Sequence, residues 1–320
     1  MKANTQAAQP VPGRKAGTNR FWFVFKQQKL LYLMSMPFVA WVIVFQYVPL
    51  WGWTIAFQNY KPARSFFEQE WVGLKHFREL LQDERFYLAL KNTLAMSVMG
   101  LIVGFTVPIL FAVLLNELRW KKFKSLTQTI SYLPHFVSWV VVAGLVYKML
   151  SLEDGGLNQL LMWLGAIDQP IQFMAKGEWF WGIVVLSDLW KEMGWNSIIF
   201  LAAISAVDPH LYEAAKVDGA GRWRQIWHVT LPGIRAVIIV LLILSIGNLI
   251  SIGFEKQYLL GNHLVVDYAE VLDLYALKYG LQLSRFSFGT AIGIFNSMVA
   301  LLLVFTANAL FKRYSNESVV

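Results

Sequence analysis

The chain has 320 residues, 57% of them apolar and 15% charged, with a positive mean hydropathy and a formal net charge of +8. A soluble domain carries about a quarter charged residues, and several segments here exceed the roughly 18 apolar residues that mark a membrane-spanning helix. A polytopic membrane protein is therefore expected, and the absence of cysteine excludes disulfides, thiolate metal sites and cysteine nucleophiles.

The first 30 residues carry Lys2, Arg14, Lys15, Arg20, Lys26 and Lys29 and no acidic side chain. No signal-type apolar core precedes Arg20, so this segment reads as a retained cytoplasmic tail. The distribution of positive charge argues for orientation in a bilayer rather than for nucleic acid. The stretch RFWFVF reads either as an element lying along the inner membrane surface or as the frayed start of the first span. Spans are predicted near 31–57, 86–116, 127–150, 179–206, 233–254 and 286–311. Six crossings place both ends on one side. The segments 117–126 and 207–232 with Arg235, and the end with Lys312 and Arg313, share the basic excess of the tail, whereas the segments between them are richer in acids. An excess of Lys and Arg in short loops marks the cytoplasmic side, so both termini are expected there. The organisation is a tail over 1–30, a transmembrane domain over 31–312 that includes the cytoplasmic loop 207–232, and a tail over 313–320.

Between the first two spans, WVGLKHFRELL predicts a short amphipathic helix that caps the outer face. Trp51, Trp53, Trp71, Trp179 and Trp181 fall near predicted outer ends and read as an interfacial belt, in preference to a sugar-stacking array. The fourth span holds Asp188, Lys191 and Glu192 near mid-membrane. Each such charge costs at least about 2.5–3.5 kcal/mol on insertion scales, so lipid exposure is disfavoured. Asp188 and Lys191 are spaced to pair on one helix face, whereas Glu192 points elsewhere and needs a partner on another helix. Two readings stand: a structural network between helices, or the lining of a path for a hydroxyl-rich solute. Trp190, Asn196, Asn248 and Ser251 are further path candidates, though isolated polar residues also serve as helix–helix contacts.

The next segment, YEAAKVDGAGRWRQIWHVTLPG, is polar between two apolar runs. Asp208-Pro209 is a helix start, the aspartate as N-cap and the proline at the first position. Leu211, Ala214 and Ala215 then share one face, and Asp218-Gly219 ends the helix, because glycine adopts the left-handed conformation of a helix stop. A second short helix over roughly 221–228 carries Trp223, Ile226 and Trp227, and Thr230-Leu231-Pro232 leads into the fifth span. The outward face offers small alanines beside Glu213, with Arg222 and Arg224 close by. Such a surface suits close approach of a partner with one charge to set register; an amphipathic connector resting on headgroups is the plainer alternative.

The string Glu213-Ala214-Ala215-x-x-Asp218-Gly219-Ala220, followed by Ile226-x-x-Val229-x-Leu231-Pro232, resembles the EAA loop of binding-protein-dependent ABC importer permeases. Isoleucine at 226 stands where an aromatic is frequent. The resemblance extends over about residues 30–312 and includes YLPHFVSWVVVAGLVYKML, LSDLWKEMGW and SIGNLISIGFEKQYLL, which are similar to the polysaccharide-type (LplB-like) branch of the MalF-like sugar permeases. It implies an all-α fold of six transmembrane helices, the type I importer (MetI-like) permease fold. It also implies a multi-pass subunit of the bacterial cytoplasmic (inner) membrane. Glu213, Ala214, Ala215, Asp218, Gly219, Ala220 and Arg222 would couple it to a separate ATPase. The implied partners are a second homologous permease, two ATP-binding subunits holding ATP and Mg, an extracytoplasmic solute-binding protein and an oligosaccharide, with acidic pectin- or alginate-derived oligomers a reasonable substrate.

No glycine precedes a lysine anywhere, so the chain has no G-x-x-x-x-G-K-[ST] phosphate loop. If transport is ATP-driven, the ATPase must be another chain, and no cofactor, metal or catalytic residue is expected in this one. The competing readings are a permease of the same class for a non-sugar solute and a proton-coupled secondary transporter with Asp188, Lys191, Glu192 and His135 as relay. An intramembrane enzyme is disfavoured, because His135, His210, His228 and His263 scatter without an H-E-x-x-H pair.

Overall fold

Where the sequence turns apolar the chain turns helical, and where proline or glycine interrupts it the helices bend. The computed structural model describes residues 27–315; the basic tail before Gln27, with RFWFVF, and the last five residues lie outside them. Two units are formed, Met1–Thr54 and Ile55–Val320. In the first, α1 (Lys29–Val42) contains Pro37 and continues through a wide turn over Ile43–Tyr47.

In the second, a two-residue hairpin pairs β1 (Gln58–Asn59) with β2 (Glu70–Trp71), antiparallel, with Gln58 opposite Trp71. Helix α2 (Lys75–Gln82) follows and buries His76 and Leu80, as the amphipathic pattern predicts. The Asp83 carboxylate then accepts from the Arg85 N–H at 2.9 Å and caps α3 (Glu84–Glu117). At 1.5 Å per residue its 34 residues extend about 51 Å.

Helices α4 (Lys121–Tyr132) and α5 (Trp139–Met149) show that the predicted span 127–150 is a bent pair rather than one straight helix. They meet at 104° across a tight turn, Leu133–Phe136. Proline at 134 cannot donate and crowds the carbonyl one turn earlier, and Val137 and Ser138 are extended. With 11 residues α5 covers only about 16 Å, roughly half a bilayer core. After α6 (Gly156–Trp163), α7 (Gly177–Ser205) runs unbroken for 29 residues and packs along α3.

A 68° bend leads from α7 to α8 (Pro209–Val217), and α9 (Arg222–Gln225) follows the turn at Gly219. The second loop helix does not end near 228. It widens over Ile226–Thr230, continues to Gly233, and breaks by 60° at Ile234 before α10 (Arg235–Gly247). Pro232, which lacks a donor, is accommodated by the widened turn ahead of it. The fifth span also stops short of 254: its helix ends at Gly247, and Asn248–Gly253 is irregular, with Gly253 at φ +76°. Helix α11 (Glu255–Leu260), the single turn Val266–Ala269, and Leu272–Tyr275, which continues as a wide helical turn over Ala276–Gln282, precede the last long helix, α12 (Phe286–Ser315).

Among the described residues, Lys29–Phe57, Glu84–Glu117 and Phe286–Arg313 are long and apolar enough to cross a membrane. Three bent pairs, Lys121–Phe136 with Trp139–Met149, Gly177–Ser205 with Pro209–Val217, and Arg222–Gly233 with Arg235–Gly247, bring the number to six if each is one span. One core cluster joins Met96 of α3 and Ala143 of α5 to Phe180 and Val184 of α7 and to Leu260 and Val271. A second joins Ala112 and Val113 of α3 to Phe200 and Ile204 of α7, Ile226 and Ile234. That second cluster seats the polar loop: Ile226 is buried there, so the aliphatic side chain at this position fills a core site.

The cap predicted at the loop's start is present, with the Asp208 carboxylate accepting from the His210 N–H at 2.9 Å. Asp208→Ala removes it and is expected to cost about 1 kcal/mol of local helix stability, read as faster amide exchange over 210–213 with the remainder of the chain unchanged.

Candidate functional site: a helical hairpin and a polar chamber

Two places concentrate polar chemistry. The first is the hairpin α8–α9. Its helix stop is a Schellman motif: the Ala220 N–H donates to the Ala215 carbonyl at 2.8 Å and the Gly219 N–H to the Lys216 carbonyl at 3.1 Å, with Gly219 at φ +74°. The faces differ in one respect from the sequence reading. Leu211 and Ala214 point outward, but Ala215 is half-buried beside Tyr212, whose hydroxyl shares a 3.0 Å hydrogen bond with Thr230. Ala220 is also half-buried, and its carbonyl accepts from Gln225 at 2.8 Å.

Glu213, Ala214 and Asp218 are exposed, and beside them Val217 (88% exposed) and Trp223 (72%) present apolar surface. The Glu213 carboxylate lies 3.4 Å from His210 Nδ1, a contact at full solvent exposure. Arg222 lies 4.0 Å from Glu117 at the end of α3, so it ties the hairpin to the helix bundle as well as standing near its tip.

The second place is a chamber of about 250 Å³ between α3, α7 and the unwound end of α10. Irregular backbone at membrane depth is tolerated where it is buried in protein or lines a cavity, and here both apply. The Leu249 carbonyl, released from the helix ladder, accepts from the Ser97 hydroxyl. Of the path candidates, Asp188, Asn196 and Asn248 line the chamber. The pairing expected between Asp188 and Lys191 is not formed. Asp188 instead meets Lys256 of α11 at 2.9 Å, while the Lys191 ammonium donates to the His135 carbonyl at 2.6 Å. The Lys256 ammonium also lies 5.9 Å from the centre of the Trp139 ring.

The remaining candidates sit elsewhere. Lys191 and Glu192 contact His135 at the α4–α5 break, so Glu192 has its partner on another helix. Trp190 lines a separate, largely apolar hollow of about 1100 Å³ with Leu145, Val146 and Trp179. Ser251 turns to the Asp273 carboxylate at 3.2 Å, which also accepts from the Gly253 N–H at 2.7 Å. Burial raises the Asp273 carboxyl above its ordinary value, and those two donors partly oppose the shift. Trp181, read as an interfacial belt residue, donates its indole N–H to the Tyr268 carbonyl at 3.0 Å.

Lys256 and Gln257 were missed by sequence reasoning. Gln257 is fully buried, lines the chamber, and neither its amide nitrogen nor its oxygen has a protein partner. A buried amide without partners costs about 1–3 kcal/mol per group. The signal was present as a charged and an amide residue, EKQ, directly after an apolar run. Among the described residues no group of three His, Cys, Asp or Glu side chains is placed to hold a metal ion.

Comparison with known proteins places this geometry. Residues 104–315 match the family model described as binding-protein-dependent transport system inner membrane component. The chain is 46% identical over 318 residues to the polygalacturonan/rhamnogalacturonan transport system permease protein YteP of Bacillus subtilis (strain 168), covering 99% of this chain and 98% of that one. It is 32% identical over 311 residues to the arabinooligosaccharides transport system permease protein AraP of Halalkalibacterium halodurans, covering 95% and 93%. Among solved structures it is similar to a chain of the bacterial alginate ABC transporter in complex with an alginate pentasaccharide-bound periplasmic protein. There the TM-score is 0.85 at 42% identity, over 94% of this chain and 100% of that one. With the matched model covering both the hairpin and the chamber's α7 and α10 walls, the chain belongs to the family of binding-protein-dependent transport system inner membrane components and is a membrane-embedded permease subunit rather than an enzyme.

Proposed function

We propose that this chain is one permease of an ATP-driven importer of oligosaccharides, in the bacterial cytoplasmic membrane with both termini in the cytoplasm. It acts with a second, homologous permease, two ATP-binding subunits that hold ATP and Mg, and an extracytoplasmic solute-binding protein. Acidic oligosaccharides as the substrate class are supported by the relative named for polygalacturonan/rhamnogalacturonan and by the solved importer of the acidic polysaccharide alginate, both more similar to this chain than the arabinooligosaccharide permease.

The observation that carries this reading is the exposed tip of the hairpin. A capped helix ending in a Schellman turn presents Glu213, Ala214 and Asp218 next to exposed Leu211, Val217 and Trp223. That is a stiff knob with unmet apolar surface, suited to seat in a cleft of the ATPase. Glu213 supplies a charge-assisted contact to a basic group there. Ala214 allows close approach, while Ala215, Gly219 and Ala220 build the turn, and Arg222 braces it on Glu117. ATP-driven closure of the ATPase pair then displaces the hairpin as a rigid body.

The chamber lined by Asp188, Asn196, Asn248, Lys256 and Gln257 receives the sugar on its way through. Its Asp188–Lys256 pair offers an acceptor and a donor to hydroxyl groups, and the unpartnered Gln257 amide offers one of each.

In vesicles containing the assembled complex, uptake is expected to be abolished by vanadate, and a bifunctional crosslinker at Val217→Cys is expected to capture the ATPase. Vanadate-insensitive uptake by this chain alone would favour the proton-coupled alternative instead. Replacing Gln257 with leucine is expected to lower the rate of oligosaccharide uptake about tenfold, equivalent to roughly 1.4 kcal/mol. Binding-protein-stimulated ATP hydrolysis should fall less. Unchanged uptake would remove Gln257 from the path.

A further inference from the structure

The break between α4 and α5 is held by one short stretch of α7. The His135 carbonyl lies where the helix ladder is interrupted, and it accepts from the Lys191 ammonium at 2.6 Å. Lys191 is 6% exposed, and a buried ammonium is tolerated only when paired. Its second partner is the Glu192 carboxylate at 3.1 Å. The other carboxylate oxygen of Glu192 lies 2.7 Å from His135 Nδ1. The Trp195 indole stacks on the His135 ring with centres 4.2 Å apart and planes 1° from parallel. At Gly194 the α7 backbone passes so close to α4 that a Cβ there would overlap the Ser131 carbonyl.

None of these contacts belongs to the chamber, since neither Lys191, Glu192 nor Trp195 lines it. They grip the backbone of the break as well as its side chains, so they fix the bend itself. The same α7 continues without interruption to Ser205, and after three intervening residues α8 begins. Movement of α8 therefore enters the bundle along a helix already fastened to the α4–α5 bend.

We infer that Lys191, Glu192, Gly194 and Trp195 form a rigid joint at the α4–α5 break, through which displacement of the cytoplasmic hairpin is delivered to α5. This rests on the reading of α8 as the contact with the ATPase. Lys191 and Glu192 are positioning residues in this scheme: they transmit movement and do not touch the sugar. Their loss separates ATP hydrolysis from transport, in place of stopping both.

The cysteine-free chain allows nitroxide labels to be placed directly. In the assembled importer in lipid nanodiscs, labels at Ser205→Cys at the cytoplasmic end of α7 and Val140→Cys on α5 report the distance across the joint, before and after trapping with ATP and vanadate. Both positions are exposed, and neither belongs to the face of α8 that meets the ATPase. The unaltered joint is expected to keep this distance between the two states. In Lys191→Met it is expected to shift and broaden on trapping, with oligogalacturonide uptake per ATP hydrolysed reduced about tenfold, within the range of ordinary coupling energies. Lys191→Arg, which retains the cation, is expected to preserve both readouts. Trp195→Leu removes only the stacking and gives a second, milder test should Lys191→Met assemble poorly; it is expected to broaden the distance in the same sense.

If the unaltered complex transports and both Lys191→Met and Trp195→Leu keep the wild-type distance and ratio, the joint is overturned while the importer reading stands. If the distance already changes in the unaltered protein, the joint is not rigid and is likewise overturned. If the unaltered complex hydrolyses ATP without oligosaccharide uptake, the importer reading fails and takes the joint with it.

Discussion

Valine at position 219 is expected to reduce uptake to background while the chain still inserts and assembles with its partner permease. Gly219 sits at φ +74°, and nothing lies within 4 Å of where a Cβ would be. The defect is therefore one of backbone conformation, without any clash. A left-handed conformation costs an ordinary L-residue about 1–2 kcal/mol, and a β-branched side chain at positive φ is a genuine outlier. The turn escapes the strain by opening. The Ala215 and Lys216 carbonyls then lose their donors and the knob loses its shape. Asparagine tolerates the left-handed region, so Gly219→Asn should retain most uptake. The measurement is transport in vesicles normalised to the amount of assembled complex. Normal transport by the valine variant would remove the hairpin from the coupling role.

Alanine at position 194 is expected to be the more damaging change to the fold. Overpacking by a methylene costs about 1–3 kcal/mol when side chains can shift. Here the obstacle is the Ser131 carbonyl, which cannot rotate away, so α4 and α7 must separate along their length. A same-helix control isolates the cause. Gly182 also lies within α7, but a Cβ there meets nothing within 4 Å. Gly182→Ala should be neutral or stabilising by up to about 1 kcal/mol, because alanine favours helix over glycine. Thermal unfolding of the purified complex in detergent separates the two variants. Equal melting temperatures would mean that the α4–α7 crossing tolerates a wider spacing.

The spans, the Asp208 cap and the glycine stop at 219 were legible because each depends on local chemistry: apolar run length, a side chain reaching its own backbone, and the φ range glycine permits. The amphipathic helix after the first span was legible for the same reason. The breaks were less so. Pro134 stands in plain view, but an apolar run masks it when hydropathy alone is summed, and the 104° break just beyond it, at the extended Val137 and Ser138, divides the expected span into a bent pair. The irregular segment after Gly247 is held by a distant group, the Asp273 carboxylate, which accepts from Ser251 and from the Gly253 N–H.

The charges of α7 show the limit most directly. Spacing allowed Asp188 to meet Lys191, yet each found a better partner on another element, Lys256 and the His135 carbonyl. Spacing along a single helix enumerates possible pairs without ranking them against partners supplied by the fold. The chamber was half legible: Asp188, Asn196 and Asn248 were marked as polar residues in apolar surroundings, whereas Lys256 and Gln257 fell just past a predicted span end and were read as loop.

Asp188 and Gly194 are six residues apart on one unbroken α-helix, about 9 Å along its axis. The wall proposed to meet the cargo and the fastening proposed to carry the stroke are thus parts of a single rod. On the proposed path, the factor by which nucleotide changes the chamber's hold on its passenger equals the factor by which the passenger changes nucleotide affinity. A loaded chamber should therefore alter the nucleotide affinity of the distant ATPase, and the size of that reciprocal effect would measure how stiff the rod is.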